Sequence, residues 1–227
     1  MKTDPASPTP PRRPRGRPRS FDRDAALDAA MEVFWSKGFE TASLHDLTRA
    51  MGINPPSLYA TFGDKEGLFL EAVKRYETRL GESCPYCDEP TARASVEKLL
   101  RDMASQFTEP GHPRGCLMVM ASTTSNASSK RMQAAIAERR AAARARMKTR
   151  VAQGICDGEL PPGTDVTALA NFYMAVIAGM ALQSRDGASR KALLSMVETA
   201  MRAWPSGGGS PAAKRRKPNR KASAVRA

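Results

Sequence analysis

The sequence predicts an all-α fold, and three observations carry that prediction. Apolar residues recur at three- and four-residue intervals through most of the chain. No stretch alternates apolar and polar residues as a half-buried strand would. Residues 43–62, SLHDLTRAMGINPPSLYATF, read as two short helices joined by a tight turn, which is the layout of a helix-turn-helix. About nine helices are expected. They divide into a helix-turn-helix unit over 21–80 and a second helical unit over 81–204, flanked by basic, disordered segments at 1–20 and 205–227.

In chain order, Asp22 is placed to cap a first helix, with Phe21 before it as a hydrophobic staple. Leu27, Ala30, Met31, Phe34 and Trp35 give that helix one core face, and Gly38 ends it. Ser43 opens the next helix, and Asp46 three residues on completes a capping box. Gly52 supplies the turn, and Pro55 and Pro56 suit the first turn of a third helix. Leu44, Leu47, Met51, Ile53 and Leu58 are inward positions, leaving Ser57, Tyr59, Ala60 and Thr61 on or near an outer face. Gly63 and Asp64 start a fourth helix striped by Leu68, Phe69, Ala72, Val73 and Tyr76.

A break at 81–91 holds Cys84 and Cys87. A helix over 94–107 carries Val96, Leu99, Leu100, Met103 and Phe107. Pro110, Gly111 and Pro113 then interrupt the chain before an apolar stretch at 116–121. Residues 128–155 form one long basic helix with Met132, Ile136, Ala143, Met147 and Val151 along one side. After the breakers Gly158, Pro161, Pro162 and Gly163, residues 165–183 are apolar nearly all round. Such a helix needs cover on more than one side, and a partner subunit is the natural second cover. A last helix, 189–204, carries Leu193, Met196, Val197, Ala200 and Trp204 and stops at Pro205.

Charge narrows the class of partner. The net charge is +13, and twelve of those charges sit in the two ends: six basic residues against one acid within 1–20, and seven with no acid within 205–227. Basic arms on a nearly neutral body point to a polyanion. Within the first arm, Arg15-Gly16-Arg17-Pro18-Arg19 resembles the core of an AT-hook, which lies in a narrow minor groove. The longest apolar run, 172–182, is shorter than a membrane span, and prolines and arginines replace a signal-peptide centre, so a cytoplasmic location is expected. With no glycine-rich phosphate loop, paired catalytic carboxylates or Ser–His constellation in view, no enzyme activity and no cofactor are expected.

Residues Phe34, Gly38-Phe39, Thr41-Ala42-Ser43-Leu44, Leu47, Met51-Gly52-Ile53, Ser57-Leu58-Tyr59-Ala60-Thr61-Phe62 and Lys65-Glu66-Gly67-Leu68-Phe69 resemble, in order and spacing, the TetR family of transcriptional repressors. The resemblance covers about residues 15–78 and implies a homodimer whose recognition helices read a near-palindromic operator in double-stranded DNA. It implies DNA-facing positions at Pro56, Ser57, Tyr59, Ala60 and Thr61, and a phosphate contact from Lys65 at the next helix start. Ser43, His45 and Thr48 on the preceding helix, and Arg15, Arg17 and Arg19 in the arm, complete the expected DNA-binding set. Thr61 stands where many relatives have histidine, and Ala60 is small, so direct base readout is thin.

The resemblance also implies a ligand-binding and dimerisation unit over 81–204 that releases DNA when a small molecule enters. Expected ligand positions are Met103, Phe107, Cys116, Met120, Met147 and Phe172. Expected dimer positions are Leu169, Phe172, Tyr173, Val176, Ile177, Met180, Leu193 and Val197. Cys84-Pro85-Tyr86-Cys87 has glutaredoxin-like spacing but lacks a βαβ setting. A zinc site from Cys84, Cys87, His112 and Cys116 would need two pairs separated by a helix to meet. The reading favoured for the thiols is reduced cysteine, with Cys116 and Cys156 packed as small apolar groups. A thiol- or metal-responsive repressor using Cys84, Cys87 or Cys116 is an alternative, and so is a low-specificity architectural DNA-binding protein.

Overall fold

The computed structural model describes residues 21–80, 89–123 and 129–205, and among these it holds nine α-helices and no strand. They are α1 (Arg23–Lys37), α2 (Leu44–Met51), α3 (Pro55–Phe62), α4 (Lys65–Leu80), α5 (Ala92–Gln106), α6 (Leu117–Thr123), α7 (Lys130–Cys156), α8 (Val166–Arg185) and α9 (Arg190–Arg202). The expected arm, the tail, and Cys84 and Cys87 lie outside the described residues.

Local chemistry sets the ends of these helices. Asp22 accepts from the N–H groups of Asp24 and Ala25 at the start of α1, and Gly38 closes that helix on the Phe34 carbonyl. Thr91, Asp165 and Ser189 cap α5, α8 and α9 in the same way. Each such cap gives otherwise unpaired backbone donors a partner.

α1 packs on α2 and α4, and α4 also meets α7. Arg75 on α4 grips Asp28 on α1 through two hydrogen bonds of 2.8 Å, and this pairing holds the Asp28 carboxyl below its ordinary range. α6 touches α1, α4, α7 and α8, so it bridges the helix-turn-helix end to the rest. The buried side chains form one connected cluster that runs from Leu27 and Phe34 through Tyr76 and Phe107 to Tyr173 and Trp204.

Side-chain hydrogen bonds join α1 to this larger body. The Trp35 indole donates to the Gly115 carbonyl at 3.2 Å. Arg185, at the end of α8, donates to the Trp35 carbonyl at 2.9 Å and to the Ser36 carbonyl. A cation on the last carbonyls of α1 is the favourable end of that helix dipole.

α8 corrects two expectations. It is 20 residues long and holds an 18-residue window with a mean hydropathy of 1.5, enough by length and composition to cross a membrane, whereas the apolar run at 172–182 is shorter than a span. One side of it packs in the fold, with Ala170, Tyr173, Met180 and Ala181 buried against its own chain. Tyr173, Met180, Leu193 and Val197, expected at a dimer face, are fully covered within the protomer and cannot form one. What α8 leaves open includes one of the expected dimer positions, Phe172. Phe172 is 42 % exposed and Leu182 49 %, and Val176 and Gly179 fall between them at three- and four-residue steps. Leu169 and Ile177 are half-buried.

Candidate nucleic-acid interface and an adjoining cleft

Ser43 builds the first half of the hairpin. Its hydroxyl accepts from the Asp46 N–H at 3.0 Å, while the Asp46 carboxylate accepts from the Ser43 N–H at 3.1 Å and its hydroxyl at 2.7 Å. Lys37 adds an ion pair to Asp46 at 2.7 Å. The hydrogen bonds from Lys37 and Ser43 hold the Asp46 carboxyl far below its ordinary range. α2 ends at Gly52, with φ of 64° and ψ of 30°, a left-handed conformation that glycine adopts without strain. Asn54 then caps α3 by accepting from the Ser57 N–H at 2.8 Å, and two prolines fill the positions where a missing N–H costs nothing.

Leu58 and Phe62 anchor α3 in the core. Pro56, Tyr59 and Ala60 face outward, with Tyr59 47 % exposed, and Ser57 and Thr61 are half-exposed at the edges. On α2, His45 is exposed, and so is Arg49 one turn further along. Arg49 was not among the expected contacts. Its four-residue spacing from His45, on a helix whose buried side is Leu47, Thr48 and Met51, was the available signal.

The structure differs from expectation at two residues of this surface. Thr48 is buried and its hydroxyl donates to the Leu44 carbonyl at 2.8 Å, so it belongs to the inner side of α2. Lys65 is half-buried. Its ammonium donates to the Glu40 carbonyl at 3.3 Å and lies 4.6 Å from the centre of the Phe39 ring. Burial pulls its pKa down, and its ammonium holds the 39–40 turn against α4.

α4 runs from beneath α3 to a cleft of about 1360 Å³ walled by α4, α5, α6, α7 and α8. At the α3 end, a Cβ on Gly67 would stand 2.3 Å from the Phe62 carbonyl oxygen, so only glycine lets α4 start this close to the end of α3. At the other end, Lys74, Glu77, Thr78 and Leu80 line the cleft. Four of the six expected ligand positions, Met103, Phe107, Cys116 and Met147, line it too. Met120 and Phe172 do not. Met120 is buried elsewhere, and Phe172 points off the outer side of α8. Leu99, Val119 and Ile177 were missed, because an apolar residue at helical spacing looks the same whether it fills a core or lines a cavity.

The cysteines separate. Cys116 is buried beside the Tyr76 hydroxyl, and burial pushes its thiol up, the reverse of what a reactive thiolate needs. Cys156 is exposed at the end of α7, which corrects the expectation that it is packed. His112 stacks on Trp35 and contacts Arg79, and among the described residues no cluster of metal-ligating side chains forms.

Two family models match the chain: the bacterial regulatory proteins of the tetR family over residues 26–72, and the tetracyclin repressor-like C-terminal domain over residues 92–202. The chain is 39 % identical to the HTH-type transcriptional repressor ComR of Escherichia coli over 194 residues, covering 84 % of this chain and 92 % of ComR. It is 38 % identical to the HTH-type transcriptional repressor BdcR of Escherichia coli over 109 residues, covering 46 % of this chain and 54 % of BdcR. Among solved structures, a cysteine double mutant of the TetR family transcriptional regulator CifR, complexed with 26-base-pair double-strand operator DNA, is similar at a TM-score of 0.80. That similarity comes with 46 % identity and covers 83 % of this chain and all of that one.

Proposed function

Since the chain belongs to the TetR family of bacterial regulatory proteins, we propose that it is a homodimeric transcriptional repressor. It binds a near-palindromic operator through α3 and lets go when a small molecule fills the cleft. The observation that carries this reading is the hairpin itself: α2 and α3 are fixed by caps, anchored by Leu58 and Phe62, and present Tyr59, Pro56 and Ala60 outward. The relatives named as repressors, and the operator-bound relative, support the same reading. Residues 21–80 then form the DNA-reading unit, and the helices from 89 to 205 form the effector and dimer unit.

In this reading α3 enters the major groove, as the second helix of such a hairpin does. Tyr59 donates its hydroxyl to a phosphate, and Ser57 and Thr61 reach base edges or backbone from the rim. His45 and Arg49 meet the flanking backbone, and the capped start of α2 at Ser43 presents its N-terminus there. Lys65 supports this surface from behind. Arg15, Arg17 and Arg19 add minor-groove and phosphate contacts ahead of α1. The dimer forms along α8 about Phe172 and Leu182, which are large, apolar and exposed in the protomer, with the half-buried Val176 and Gly179 between them.

Release follows from the path of α4. Its first turn abuts α3 through Gly67, and its last turns line the cleft. A ligand that fits the cleft better when α4 is displaced would disfavour the DNA-bound spacing of the two α3 helices. Coupling needs only that ligand and operator prefer different arrangements. The test is gel retardation of a selected operator duplex with excess random DNA as competitor. Binding should survive the competitor and weaken at least tenfold in Tyr59→Ala, whose melting temperature should stay near that of the parent because Tyr59 is half-exposed. Equal loss to random competitor would remove the sequence-specific reading.

A further inference from the structure

The cleft is chemically lopsided. One side is an apolar wall that includes Leu99, Met103, Met118, Val119 and Ile177. The other is α7, which carries eight basic residues against one acid. Both acids that line the cleft already have partners, since Glu77 pairs with Arg139 at 3.1 Å and Asp102 with Lys98 at 3.1 Å. That leaves five cleft-lining cations without an ion pair among the described residues: Lys74, Arg146 and a set of three along α7, Arg140, Arg144 and Lys148. These three are spaced four residues apart, so they stand in one row on one face of α7. A row of like charges at this spacing destabilises a helix, and an anion laid against it relieves that repulsion. The alanines beside the row, Ala137 and Ala143, keep the space in front of it open.

One further observation marks the wall as more than a packing gap. Gln106 lines the cleft with its side-chain oxygen buried and without a hydrogen-bond partner among the described residues. A buried polar atom left unpaired inside an apolar wall is uncommon unless something else completes it.

We propose that the cleft takes an amphiphilic carboxylate, its alkyl or aryl body on the apolar wall and its anionic head among Arg140, Arg144 and Lys148. This rests on the effector role given to the cleft above and names the class of molecule that fills it. The guanidinium groups supply the paired donors that suit a carboxylate, and the partly apolar surroundings strengthen those bonds relative to open water. A neutral molecule of the same body would gain the wall but leave the basic row unanswered.

The test is calorimetric titration of the full-length protein with decanoate and with 2-naphthoate, each below its aggregation concentration, against decan-1-ol and 2-naphthol. At least one carboxylate should bind saturably and at least tenfold more tightly than the alcohol of the same body, and the tighter of the two identifies an alkyl or an aryl ligand. Arg140→Gln with Arg144→Gln should weaken carboxylate binding at least tenfold and leave alcohol binding within twofold. Lys130→Gln with Arg131→Gln, on the same helix but outside the cleft, should change neither. Alcohols binding as tightly as the acids, no saturable carboxylate binding, or equal loss in both double variants would overturn the proposal. Operator retention by the ligand-free protein reads the repressor function separately, so failure of one is distinguishable from failure of the other.

Discussion

Asp46 accepts two hydrogen bonds from Ser43 and an ion pair from Lys37, and its carboxyl titrates far below its ordinary value of 3.8 as a result. A group whose pKa falls on folding stabilises the native state fully above its unfolded value, and that contribution fades as pH drops below it. Asp46→Asn should therefore lower the melting temperature at pH 7, and the gap to the parent should narrow as pH falls from 4 towards 2. A gap that stays constant over that range would show that the carboxylate charge is not what secures the start of α2. This capping box was legible in the sequence because its partners are three residues apart. Thr48, Lys65 and Cys156 were not. Helical spacing alone does not say whether a threonine turns inward to bond its own helix or whether a cysteine at a helix end is covered, and the Lys65 contact with Phe39 joins residues remote in sequence.

The hairpin helices were legible almost to the residue, because Ser43, Gly52 and the prolines punctuate them locally, although the Asn54 cap of α3 was not read. Their attachment to the rest was not. The approach of Gly67 to Phe62 is a tertiary constraint with no periodic signature. Gly67→Ala should force α3 and the start of α4 apart, at a cost of about 1–3 kcal/mol of the kind overpacking brings. Operator affinity should fall with it. Gly52→Ala is the comparison, since a Cβ there meets nothing within 4 Å and suffers only its left-handed φ of 64°. Gly52→Ala should cost about 1 kcal/mol. Urea unfolding of the two variants gives the stability order, and fluorescence anisotropy gives the affinity. A Gly67→Ala protein with parental operator affinity would show that α3 is not held through this contact.

At the scale of the whole molecule, the sequence indicated an apolar helix in need of cover but did not separate its inner face from its outer one. Periodicity ranks Tyr173, Met180, Leu193 and Val197 beside Phe172 and Leu182, yet the first four close the protomer core and the last two remain exposed. The proposed dimer therefore rests on Phe172 and Leu182. Phe172→Glu with Leu182→Glu should give monomers in sedimentation velocity at micromolar protein, with the helical circular-dichroism signal retained. A variant that stays dimeric would place the interface elsewhere. The measurement that bears most directly on the whole account is selection of bound sequences from random duplex DNA by the full chain, sequenced after several rounds. Two copies of α3 on a two-fold axis predict an enriched inverted repeat whose half-sites are centred about one helical turn, or a multiple of it, apart. The same selection with Tyr59→Ala should lose that enrichment. A pool with no enriched motif, or with a single half-site and no repeat, would contradict the account.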